Sequence, residues 1–249
     1  MKKRLPRFNG KPLIEIPETI PQVGFLEGDF GKAFLEEYNG RVRADYNGNP
    51  ILKILEYKNE VVRGSNSFAV VLANQILKHE GLRTASQADL ERILKETDLN
   101  FIGTDINTGL VLRSEGKPNS YLAKDLFRQM KEQGIKSKTP VMIPLNGLEL
   151  RLDSDSPYGL SFNLTENAER FYTADAILNE GGYFNSEDIA EKSGIPIILR
   201  RVGERILSTT NSGLSGFYLC DGSSQSACDD SLGTANVRGR VIIVKEAEK

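Results

Sequence analysis

Tryptophan is absent from this 249-residue chain, histidine occurs once, at His79, and cysteine twice, at Cys220 and Cys228. A single histidine excludes mechanisms that need two imidazoles. Two cysteines make neither a disulfide scaffold nor a four-ligand structural zinc site. No apolar run approaches the roughly eighteen residues of a membrane span, so membrane insertion is not expected. The basic start MKKRLPRFNG is followed by no apolar stretch of the secretory kind, which leaves a cytoplasmic location as the default expectation. A net charge of −2 gives no basic footprint, so nucleic acid is not an expected partner. What is present is ordinary globular composition, 39% hydrophobic and 27% charged. That is enough to bury a real core, and a single domain over residues 1–249 is expected, with no cofactor and no metal.

Helix signals dominate the first half. The spacing predicts a short helix over 31–38 and a strand over 51–57. Asn66 can cap a helix through Val70, Val71, Ala73, Ile76 and Leu77 that ends at Gly81. Ser86 or Thr84 can cap a second, with Leu90, Ile93 and Leu94 inward. Asn119 or Ser120 can cap a third, with Leu122, Leu126, Phe127 and Met130 inward and Gly134 after it. From Thr139 the period becomes two: VMIPL, LELRL, GLSFNL, IPIILRR and RVIIVK read as strands, with a short helix over 186–192 capped by Ser186. The expected class is α+β, helices mainly in the N-terminal half over an antiparallel sheet.

One window stands apart. Residues 206–237 contain no Lys, Arg or Glu, where the chain's average would put about seven. Both cysteines lie in it, among many Ser, Gly, Asp, Thr and Asn residues. Leu214, Phe217, Leu219 and Leu232 supply apolar anchors, and buried strands are expected on both sides, over 197–199 and 241–244. A segment pinned at both ends and stitched down inside reads as a displayed surface, rich in residues that recognition loops favour.

The run SGLSGFYLCDGSSQSACDDSLGTANVRGR (212–240), followed by VIIVKEAEK, resembles the variable region of target proteins diversified by retroelements. The resemblance extends over 81–249 through GLRTASQADLERIL, FIGTDINTGLVLRSEGKPNSYLAKDLFRQMKEQG and SPYGLSFNLTE, segments similar to those of archaeal-type members. It implies a C-type lectin fold and non-enzymatic binding of an unknown macromolecular or surface ligand through a hypervariable face. It also implies adenine-directed mutagenesis, whose main products exclude Lys, Glu, Gln, Met and Trp; of these only Gln, at Gln225, occurs in the window. By resemblance Leu214, Leu219, Leu232, Gly239, Arg240 and Val241 are framework. Gly216, Tyr218, Cys220, Asp221, Ser223, Ser224, Ser226, Cys228, Asp229, Asp230, Thr234 and Asn236 are the diversified, solvent-facing, ligand-binding positions. The Gly-Gly-Ser-Trp segment of bacterial and phage members is missing; RRVGERILSTTNSGL stands in its place. The aspartates of the window, with no Lys or Arg beside them in sequence, predict an acidic surface and a cationic or polar ligand.

Other readings compete. Asp45, Glu56 and Lys58 have the Asp…Glu-x-Lys order of a Mg²⁺-dependent nuclease, a short and degenerate pattern. Cys220 and Cys228 can be read as a local disulfide, as metal ligands with the neighbouring aspartates, or as accidents of one variant. Asp153 and Asp155 lack the glycine and glutamate of an EF-hand and read as an Asx-rich turn. His79 reads as structural, at a helix end. GDFGK is not a phosphate-binding loop.

Overall fold

The computed structural model describes residues 22–99, 101–135, 139–166, 168–169, 171–172 and 181–245, with two paired dipeptides nearer the start, β1 (Arg7–Phe8) and β2 (Lys11–Pro12). β3 (Gln22–Phe25) leads into α1 (Gly28–Asp45). This helix is longer than the predicted 31–38. Phe30, Phe34, Tyr38 and Val42 recur every fourth residue and are all buried, carrying the buried stripe past Gly40. Each such side chain contributes about 1.5–3 kcal/mol on full burial.

The strand predicted over 51–57 is mostly absent. Pro50 opens a 3-10 turn whose Asn49 cap accepts from the Ile51 N–H at 2.9 Å, and only β4 (Glu56–Lys58) is extended, paired with β5 (Val61–Arg63). Leu52 and Leu55, three apart, are both buried. Their spacing belongs to a turn, although the run also reads as alternation.

α2 (Ser67–Leu77) is the central helix, with every residue except Gln75 buried. Asn66 caps it, accepting from the Ala69 N–H at 2.8 Å, and Gly81 follows in the left-handed conformation. β6 (Arg83–Thr84) precedes α3 (Gln87–Glu96), whose Ser86 cap and Asp89 form a reciprocal capping box. After β7 (Ile106–Leu112), α4 (Ser120–Glu132) buries Leu122, Leu126 and Met130, with Phe127 half-buried. Asn119 takes the cap position, but its side-chain amide donates to the Leu214 and Asp230 carbonyls, both at 2.8 Å.

The second half is strand: β8 (Val141–Pro144), β9 (Leu148–Leu152), β10 (Leu160–Leu164), β11 (Phe171–Tyr172), β12 (Gly182–Phe184), β13 (Arg205–Thr209), β14 (Leu214–Cys220), β15 (Ser224–Asp229) and β16 (Ile242–Lys245). Two predicted elements fail here. Over 186–192 there is only a 3-10 turn, Ser186–Asp188, capped from Asn185. Residues 197–199 form no buried strand: Ile197 and Ile198 are more than half exposed. That segment is instead tied across the edge of β12, with Arg200 donating to the Tyr183 carbonyl and its guanidinium gripping Asp188 at 2.7 and 2.8 Å.

The fold is thus mixed α+β, with four helices among the described residues. A seven-stranded sheet runs in the order β11-β8-β7-β14-β15-β13-β12 and is antiparallel except for the parallel pair β13–β15. β3, β16 and β6 make a second, antiparallel sheet, and β9–β10 a hairpin. One core cluster lies between α1, α2, α4 and one side of the large sheet. A second joins α3 to β16 through Leu90, Ile93, Ile242 and Val244, and a third gathers Val111, Met142, Leu207 and Phe217. No helix among the described residues is long and apolar enough to cross a membrane.

Candidate ligand-binding face

The window over 206–237 is not a loop on the outside of the protein; it supplies three neighbouring strands of the large sheet. The anchors Leu214, Phe217, Leu219 and Leu232 are fully buried. β14 and β15 form a hairpin in which Asp221 and Gly222 both have positive φ, 46° and 81°. Glycine accepts that conformation without strain, and Asp more readily than most residues.

Register decides which side chains meet. Tyr218 lies opposite Ser226 on one side and Asn107 on the other; Cys220 lies opposite Ser224, and Gly216 opposite Asp229. Directly paired residues point to the same side of a sheet, so these positions share one face. Asp221, Ser223, Cys228, Asp230 and Thr234 are exposed, and Tyr218, Cys220, Ser224, Asp229 and Asn236 are half-buried. Gly216 and Ser226 are buried, contrary to the expectation that they face solvent. Gly216 lies over the start of α2, and the Ser226 hydroxyl meets the Cys228 thiol at 3.2 Å.

Residues outside the window hold it in place. Asp105, 4% exposed, accepts from the Asp221 backbone N–H at 3.1 Å, from the Asn236 amide at 2.9 Å and from Arg238. Burial pushes its carboxyl up, but these donors together hold it below the ordinary carboxylate range. Asn107 donates to the Ser65 hydroxyl at 2.8 Å, and Ser65 and Asn236 exchange backbone hydrogen bonds. Sequence reasoning missed Asp105, Asn107, Ser65 and Arg238. The only local signal was the polar residues Asp105, Asn107 and Thr108 just ahead of the apolar run Leu110–Leu112.

Gln225 is fixed from behind the hairpin. It is 1% exposed and donates to Glu91 and to the Gly194 carbonyl, both at 2.7 Å. The two cysteines are free and do not pair. Cys220 lies opposite Ser224, four residues before Cys228. Strand rise puts them about 13 Å apart, well past the ~7 Å limit for a disulfide. Burial pushes the Cys220 thiol up, and Asp105 adds to the shift.

The charge of the face is mixed. Arg238 stands at the Asp221 end, 3.9 Å from its carboxylate, so this end is not purely acidic. At the other end burial, then Asp230, pushes the Asp229 carboxyl up.

Among the described residues no group of three or more His, Cys, Asp and Glu side chains is placed to hold a metal ion. Asp45, Glu56 and Lys58 are exposed, and the carboxylate of Asp45 accepts from Arg41 at 3.5 Å. Asp153 forms the expected Asx turn, accepting from the Asp155 N–H at 3.2 Å. The chain matches no protein-family model, no curated protein and no solved structure.

Proposed function

We propose that this chain is a non-enzymatic binding protein of C-type-lectin type, the diversified target of a retroelement, which recognises its ligand with the face carried by β14, β15 and residues 229–237. The observation that carries this reading is spatial. Ten of the twelve residues assigned to the variable set, all but Gly216 and Ser226, reach the surface around one hairpin. The residues between them, Phe217, Leu219, Gln225 and Leu232, are buried and tied to parts of the chain outside the window. Substitutions at exposed positions away from special contacts usually shift stability by no more than about 0.5 kcal/mol. Such a face can vary while the scaffold stays.

Tyr218 offers aromatic contact, and the surrounding Ser, Asn and Asp side chains offer adaptable hydrogen bonds. Asp229 and Asp230 favour a cationic or polar ligand at their end of the face. Replacing Asp221, Asp229 and Asp230 by Asn should weaken binding to such a ligand; unchanged affinity would discard that preference. The nuclease alternative on Asp45, Glu56 and Lys58 predicts metal-dependent cleavage that Glu56→Ala abolishes.

The deciding experiment is to sequence this locus and its flanks across many cells. The reading expects a near-copy of the 212–240 coding stretch, differing at adenines, and variation confined to the named positions. Uniform sequence with no template nearby would overturn it.

A further inference from the structure

β5 ends in Arg63, and the residues after it come directly against the segment that leads into β16. The Gly64 N–H donates to the Gly239 carbonyl at 3.1 Å, and Ser65 pairs with Asn236. The approach leaves no room for side chains at the crossing. A Cβ at Gly64 would run into the Ile54 carbonyl, and one at Gly239 into Ser65. Two glycines thus bring Arg63 and Arg240 to adjoining positions. Both backbones are fixed there: Arg63 is in the ladder with Glu56, and the Arg240 N–H donates to the Asp105 carbonyl at 3.1 Å.

Neither arginine has a counterion. Among the described residues the Arg63 side chain makes no hydrogen bond and no ion pair, and its Nε is buried without an acceptor. Glu56, opposite it in the ladder, is exposed and forms no ion pair with it. Arg240 uses only Nη1, which donates to the Arg238 and Gly239 carbonyls at 3.3 and 2.7 Å. That leaves one edge of its guanidinium, Nε with Nη2, and the Nη1–Nη2 end of Arg63 open to solvent without a protein acceptor. Burial, then the neighbouring Arg63, pulls the Arg240 guanidinium below its ordinary value, yet it stays charged. Two like charges held together in half-buried positions favour an anion between them.

We infer that Arg63 and Arg240 form a binding site for one phosphate group, free or carried as a small monoester, with the Nε–Nη2 edge of Arg240 and the Nη1–Nη2 end of Arg63 donating to its oxygens. Two planar forks on adjoining residues suit a tetrahedral oxyanion, whose several oxygens can serve both. A carboxylate has two oxygens, which fill one fork and leave the other empty. Glu56 and Glu60, exposed on the same hairpin, restrict the site to a single anionic group and disfavour a polyanion. The inference rests on these two side chains and does not depend on how the variable face is used.

The probes are inorganic phosphate and phenyl phosphate, titrated into the full chain at constant ionic strength set with sodium chloride. Acetate is the matched control, and arginine Nε–Hε and amide ¹H–¹⁵N shifts are followed. The expected result is saturable shifts centred on Arg63, Gly64, Gly239 and Arg240, with acetate at least about tenfold weaker. Phosphate binding as tightly as phenyl phosphate would identify the free ion as sufficient; tighter phenyl phosphate would identify an ester, and either result supports the site. Arg63→Gln and Arg240→Gln should each weaken phosphate at least about tenfold. Because Arg63 holds no ion pair, its variant should keep the amide dispersion of the folded chain. Arg63→Lys, which keeps the charge and loses the fork, should also bind more weakly, whereas Lys58→Gln, at an exposed cation of the same hairpin, should bind as wild type. Acetate as tight as phosphate, shifts spread over exposed lysines, or undiminished binding by either glutamine variant would each overturn the assignment.

Discussion

Asp105 shows how one buried carboxylate organises a surface it barely touches. It binds the backbone at one end of the β14–β15 hairpin and two side chains of the returning segment, so three stretches distant in sequence meet at one group. Arg238 is half exposed, so solvent screens its share, and most of the contribution lies with the Asn236 amide and the Asp221 N–H. Asp105→Asn should cost about 1–2 kcal/mol at neutral pH. Its carboxyl is held below its unfolded value of about 3.9. The stability it adds is therefore complete above that pH and is lost as pH falls through the lower, folded value. Urea unfolding should show a gap between wild type and Asp105→Asn that is flat from about pH 5 to 7 and closes below about pH 4. The same neighbourhood sets thiol chemistry. The half-buried Cys220 sits beside Asp105 with its thiol pushed up, whereas Cys228 is exposed. Iodoacetamide at neutral pH should label the exposed Cys228 faster than the half-buried Cys220; peptide mass spectrometry separates the two.

At the scale of elements, α2, α3 and α4 were legible because their signals are local. The Asn66 cap, the Ser86–Asp89 box and the glycines after α2 and α4 each sit within a few residues of what they terminate. The segment over 195–201 misled because Ile197, Ile198 and Leu199 look like a buried strand. Its place is set instead by the grip of Arg200 on Asp188, twelve residues back. The window over 206–237 misled in the opposite direction. Its Ser- and Gly-rich composition suits a loop, yet Gln225 and Ser215 are buried, Gln225 donating to Glu91 and Ser215 accepting from Arg113. Polar residues pass as surface until their partners, about a hundred residues away, are known. Two glycines of the hairpin show what the sequence cannot separate. A Cβ at Gly222 would lie 2.6 Å from the Phe101 and Ile102 backbone, at a φ of 81°. A Cβ at Gly216 would meet nothing closer than 3.5 Å. Gly222→Ala should therefore lower stability by more than about 1 kcal/mol. Gly216→Ala, whose Cβ would meet only ordinary van der Waals contact, should cost less than Gly222→Ala. Thermal unfolding of the two variants distinguishes a framework glycine from a replaceable one.

For the whole molecule, the proposed function raises the question of how a sheet could bear variation on strands that lie at its centre. Edge strands and long loops are the usual places for tolerated change, because little packs on them. Here β14 and β15 are flanked on both sides, so tolerance has to come from dividing the two faces. The rear is fixed by charge: Arg205 from β13 and Glu91 from α3 hold each other, the Ser223 carbonyl and Gln225. Breaking a buried pair from one side leaves a stranded charge and costs about 3–5 kcal/mol, whereas replacing both partners by apolar residues of similar size is far less damaging. Glu91→Ala should thus destabilise strongly, and the double variant Glu91→Met with Arg205→Leu should recover a good part of the loss in a double-mutant cycle. A protein carrying new residues at Ser223, Cys228, Asp230 and Thr234 together should unfold within about 1 kcal/mol of wild type, because these exposed positions carry little of the core. The same four changes placed on Glu91→Ala should leave its deficit unaltered. Additivity would mean that the rear anchor and the front face are energetically separate; a coupling well above about 0.5 kcal/mol would mean that the face is part of the scaffold.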